Sequence, residues 1–70
     1  MSWTPNALPA PVRRYLVLSS LDPALVLRWL PGERVDADDL VAQASDAFEA
    51  LTPAQQRLDY RGLRARLQAP

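Results

Sequence analysis

Eight basic side chains and eight carboxylates make up the charged inventory of this 70-residue chain, and His and Cys are both absent. All the basic residues are Arg. Without His or Cys the chain lacks the commonest general base, the thiolate nucleophile and the preferred ligands of transition metals. Carboxylates alone remain for acid–base or metal chemistry. They cluster once, at Asp36, Asp38 and Asp39, where hard oxygen ligands are close enough in sequence to suit magnesium or calcium. That cluster lacks the Gly and the distal Glu of a helix–loop–helix calcium site. It also opens an amphipathic segment, where the same side chains cap a helix and favour the positive end of its dipole. Capping is the expected role. Gly32 and Gly62 stand alone, so there is no glycine-rich phosphate cradle. The expectation is a chain without catalytic activity, cofactor or metal.

Arginines supply the second candidate chemistry. At about 100° per residue, Arg57, Arg61 and Arg64 of a continuous C-terminal helix would fall within roughly 60° of arc. Such a stripe contacts phosphates or an acidic partner. The first expectation is the solvated side of an amphipathic helix, and the formal net charge of zero gives no global attraction to nucleic acid. Nucleic-acid binding through these three arginines is the alternative reading.

A third set of residues suits recognition of protein. Trp and Arg dominate binding hot spots, and Arg28 and Trp29 are adjacent within the apolar run Leu25 to Leu30. Trp29, Val26, Leu30, Arg28 and Trp3 are therefore the candidate protein-binding residues, with a place in the core as the competing role. Trp3 is expected either to fold back on the domain or to dock elsewhere.

Prolines and caps define the elements that must position these residues. Pro5, Pro9 and Pro11 make residues 1–10 an extended lead-in. A first helix is expected over 11–21. The competing strand at Tyr15 to Leu18 would have no partner strand anywhere in the chain. Asp22-Pro23 starts a second helix and Leu30-Pro31-Gly32 stops it, giving 23–30. Being apolar on nearly all sides, that helix should be buried on nearly all sides. A third helix over 37–51 has Leu40, Val41, Ala44, Ala47, Phe48 and Leu51 at helical spacing. Thr52-Pro53-Ala54-Gln55 reads as a capping box that opens a fourth helix over 53–67. There Tyr60, Leu63 and Leu67 share one face, and Leu58 with Ala54 and Ala65 makes a weaker second one. Gly62 inside it marks close helix contact or a weak spot.

The expected architecture is thus all-α, a small bundle or orthogonal array of three to four short helices in one domain over 11–70. With 49% hydrophobic and 23% charged residues the chain falls among globular proteins rather than disordered ones. A domain of this size buries only about 60% of its unfolded surface, which makes a partner chain a natural source of added stability. Charge is segregated. Glu33 to Leu51 carries six acids and Arg34, a net of −5, and Thr52 to Pro70 carries four arginines and Asp59, a net of +3. Antiparallel packing of the two segments would let these charges complement each other.

The reading these features support is a non-catalytic protein–protein interaction module: a small adaptor, inhibitor or regulatory subunit. Its partner would be another protein or a second copy paired through Leu25 to Leu30. No apolar run reaches the roughly 20 residues of a membrane span, and the first eleven residues lack a basic stretch leading into an apolar one. A cytoplasmic location is the expectation, and the exclusive use of Arg fits a GC-rich bacterial or phage source.

Overall fold

The computed structural model describes residues 3–69, which form five α-helices and no strand. They are α1 (Ala10–Ser19), α2 (Pro23–Trp29), α3 (Leu40–Glu49), α4 (Pro53–Gln56) and α5 (Tyr60–Gln68). Single 3-10 turns precede α1 at Pro5–Ala7 and α3 at Ala37–Asp39. The all-α expectation holds, and Tyr15 to Leu18 is helical.

The central element is α1, which packs against α3, α5, α2 and the N-terminal turn. Val12 and Leu16 lie one turn apart on its inner face. Leu16, Val17 and Leu18 have no exposed surface at all, so its C-terminal half is enclosed on every side. All-round burial was expected of α2. A core this small has room for one central helix, and the ten residues of α1 span it better than the seven of α2. On α2, Val26 and Leu30 reach the core, and Leu27 is 77% exposed.

Several boundaries differ from the expectation for local reasons. The lead-in is not extended throughout: Thr4 is extended, but Pro5–Ala7 forms a 3-10 turn closed by a Leu8 N–H to Pro5 C=O bond of 3.0 Å. A locked proline φ suits the first position of such a turn as well as an extended chain. Pro5 is buried and Trp3 packs against the core, so this segment folds back. The lead-in's first two residues lie outside the described range. Helix α1 stops at Ser19, two residues early. The Ser19 and Ser20 hydroxyls donate to the C=O groups of Leu16 and Val17, and Leu21 adopts φ +56°. Serines that bond back to the preceding turn compete with helix continuation.

In α3, Leu40, Ala44 and Ala47 are buried and continue to Leu51, but Val41 is 69% exposed. It sits about 100° around the helix from Leu40, at the edge of the stripe rather than inside it. The capping box at Thr52 is formed: the Gln55 N–H donates to Thr52 Oγ1 and the Thr52 N–H to Gln55 Oε1. The helix it opens does not run on to Leu67. Asp59 turns out of the helical path and caps α5 by accepting from the Gly62 N–H at 3.2 Å. The Gln55 C=O, which a continuous helix would offer to the Asp59 N–H, accepts instead from the Leu58 N–H and the Tyr60 hydroxyl. Tyr60 and Leu67 are buried as expected, whereas Leu58, Ala54 and Ala65 are exposed and form no second apolar face. At Gly62 the nearest obstacle to a Cβ is the capping Asp59 carboxylate at 3.2 Å, not a neighbouring helix.

The expected pairing of the acidic and arginine-rich segments is not made. The ion pair among the described residues joins Arg14 to Glu33 at 3.3 Å, between α1 and the loop after α2. No helix among these residues is long and apolar enough to cross a membrane.

Candidate functional site

Two depressions of the surface are built from residues with unspent binding capacity. The first lies between α2 and the loop that follows it. Asp22 caps α2 by accepting from the Ala24 N–H at 3.0 Å, Pro23 fixes its first turn, and Gly32 at φ +81° turns the chain back beneath it. Leu40, at the start of α3, closes the bottom. The result is a small apolar recess of about 140 Å³ walled by Val26, Leu30, Val35 and Leu40, with Leu27 and Glu33 at its mouth. Its size suits one aliphatic or aromatic side chain.

The sequence-predicted protein-binding residues divide around this recess. Val26 and Leu30, each 5% exposed, belong to the core and can meet a partner only as walls of the recess. Arg28 is exposed and lies over the Trp29 ring, 5.0 Å from its centroid, an arrangement in which the ring face attracts the cation. The Trp29 ring is half-buried, and its Nε1 is enclosed without a hydrogen-bond acceptor. Trp3 is half-buried against the core as part of the N-terminal turn. Sequence reasoning passed over Leu27. Its signal was present, because Val26 and Leu30 four residues apart define the inner face and leave Leu27 about 80° from the centre of that face.

The second depression is an open groove of about 490 Å³ between α1, α3 and the side of α5. One wall is aromatic. Tyr15 packs on Phe48 with ring centroids 5.1 Å apart and meets Tyr60 edge-on at 4.6 Å. Buried Ala44 and exposed Ser45 line it between the helices, together with the exposed Leu21 and Val41 and the half-buried Arg64. Arg64 donates from Nη1 to Ser19 Oγ at 3.0 Å. Burial, and secondarily the neighbouring Tyr15 phenol, raise the Tyr60 phenol above its ordinary pKa. Its hydroxyl is committed to the Gln55 C=O at 2.8 Å, so it serves the fold rather than the groove.

The three-arginine stripe does not survive the break in the C-terminal helix. Arg57 follows α4 and lies outside α5, so only Arg61 and Arg64 share a helix. Arg57 and Arg61 are exposed, and Arg64 is half-buried at the groove. Of the acidic trio only Asp36 caps: its Oδ1 accepts from the Asp38 N–H at 2.9 Å at the start of the 3-10 turn that contains Asp38 and Asp39, whereas Asp39 stands at the start of α3 without a side-chain cap bond. Among the described residues no three acidic side chains converge as a metal site would require. Compared with known families, curated proteins and solved structures, the chain matches no family model and finds no significant match among the other two.

Proposed function

We propose that this protein is a non-catalytic protein-interaction module, a small cytoplasmic adaptor, inhibitor or regulatory subunit that engages its partner through α2. One observation carries the reading: Leu27, 77% exposed, stands at the mouth of an apolar recess with room for a single anchoring side chain. Exposing a large aliphatic side chain brings no folding benefit, and a recess beside it is the form that hot-spot pockets take. Arg28 stacked on Trp29 adds the residue types enriched at interfaces. An inventory without His or Cys supports the absence of catalysis. Pairing of two copies through the same face is the self-association variant of this reading.

The test is capture from the source lysate with tagged wild-type protein and with Leu27→Asp, each with and without nuclease. The expected result is one protein held at fixed stoichiometry by the wild type, kept after nuclease treatment and lost with Leu27→Asp. Retention that ignores Leu27→Asp would overturn the assignment of the face. Retention abolished by nuclease and by Arg57→Ala, Arg61→Ala and Arg64→Ala together would replace it with nucleic-acid binding. Light scattering that gives a strict monomer at high concentration would remove the self-association variant.

A further inference from the structure

We propose that the groove between α1, α3 and α5 receives an amphipathic helix of a partner protein that brings a carboxylate to Arg64. This inference shares with the preceding section the premise of a protein partner, but it concerns a different face and rests on different observations.

The first is an apolar rim left in water. Leu21 is 51% and Val41 69% exposed, and both border this groove. Leu21 is also held at φ +56°, a left-handed conformation that a branched side chain adopts only at a cost. Glycine is the usual residue at such a helix end. The chain therefore keeps a leucine where glycine would avoid the strain, and still leaves half of that residue's surface in water. A partner that covers Leu21 would bury that apolar surface.

The second is the shape of the lining. Two of the lining residues from α3, Ala44 and Ser45, have small side chains, which let a helix approach closely. The Tyr15–Phe48 wall is braced by the edge-on contact with Tyr60, so it is formed before any partner arrives. The groove is open to solvent. It would leave a small ligand largely in water, whereas an apolar helix face laid into it buries both rim residues at once.

The third is charge. Arg64 is the one ionised side chain in the lining, and no carboxylate among the described residues lies within ion-pair distance of it. Its hydrogen bond to Ser19 Oγ aims it without neutralising it. Ser19 spends its own proton on the Leu16 C=O at 2.8 Å, so its oxygen is left to accept from Arg64. A guanidinium has five N–H donors, and a carboxylate offers matching paired acceptors. The complementary occupant is thus an apolar helix face with an Asp or Glu at its edge.

The test is a selection of displayed 20-residue helical peptides on the immobilised full-length protein, followed by affinity measurements on the enriched sequences. The expected peptides carry apolar residues at helical spacing with an adjoining Asp or Glu. Their affinity should fall about tenfold or more with Val41→Asp, with Arg64→Gln and with Ser45→Trp, which adds bulk to the lining. It should stay unchanged with Leu27→Asp. Circular dichroism melts establish that each variant is folded, and all three substituted positions lie outside the buried core. Selection that yields no binders, binders without an enriched acid, or binders indifferent to these three variants would overturn the inference. Binders blocked by Leu27→Asp alone would do the same and leave the α2 reading standing.

Discussion

At the scale of single residues, Tyr60 links packing to ionisation. Its ring meets Tyr15 edge-on and its hydroxyl donates to the Gln55 C=O across the turn between α4 and α5. Tyr60→Phe keeps the ring and removes the bond, at an expected cost of about 1 kcal/mol. That should lower the melting temperature by about 4–8 °C in a domain of this size. The phenol's raised pKa adds a pH dependence of defined sign. The folded state holds the proton more tightly than the unfolded state, so the contribution is fully present below the ordinary tyrosine value of about 10 and is lost as pH rises above it. Melts between pH 9 and 11 should show the wild type losing stability faster than Tyr60→Phe. Parallel curves for the two proteins would refute this assignment.

Elements are the scale at which capping decides the fold. Asp59 separates α4 from α5, and its side chain satisfies the Gly62 N–H that a helix start leaves unpaired. Asp59→Ala should cost about 1 kcal/mol, whereas Asp59→Asn, an equally good cap, should cost little. Thermal melts of both variants distinguish capping from a generic effect of charge. Just after the C-terminal end of α1, Leu21 occupies a left-handed position and leaves half of its surface exposed. Leu21→Gly removes strain of about 1–2 kcal/mol per left-handed L-residue. Against this stands the entropy that a glycine adds to the unfolded chain, so a net gain of up to about 1 kcal/mol is expected. A melting temperature below that of the wild type would show that the Leu21 side chain contributes to folding after all.

For the whole molecule, the relevant balance is a small core with few charges at work. The Cα radius of gyration of 11.3 Å matches the roughly 11 Å of a compact chain of this length. Among the described residues twelve apolar side chains form the buried cluster, and no polar or charged residue is buried with them. Stability therefore rests on apolar burial and helix capping. The Arg14–Glu33 pair is partly exposed on both sides and should contribute no more than about 1 kcal/mol. Two results are expected: Arg14→Gln shifts the melting temperature by no more than a few degrees, and raising salt from 50 to 500 mM (about 14 to 4 Å of screening length) moves it by no more than that. A large salt dependence would reveal that the segregated charges of α3 and α5 act on each other at long range.

How far the sequence reached depends on the range of the interaction involved. Asp22-Pro23, Pro31-Gly32 and the Thr52 capping box are local hydrogen-bond and torsion signals, and each marks an element boundary in the structure. The apolar spacing of Leu40, Ala44, Ala47 and Leu51 names a core face for the same reason: a helix's period is a property of its own backbone. The break at Arg57–Asp59 was harder to read, because Asp59 competes as a cap inside a stretch with good helical spacing, and the Tyr60 hydroxyl takes a carbonyl that the longer helix would have used. Which helix became central was not a local property at all. The runs Leu16–Leu18 and Leu25–Leu30 are both apolar, and only the tertiary packing enclosed the first and left Leu27 of the second in water. The groove is likewise a product of assembly: Leu21, Val41 and Arg64 are far apart in the chain, and their convergence follows from how α1, α3 and α5 pack. The all-α class, the caps and the lack of His and Cys chemistry are legible residue by residue in the chain. The tertiary structure alone decided which apolar side chains stayed exposed, because burial is a competition among all the helices for one small core.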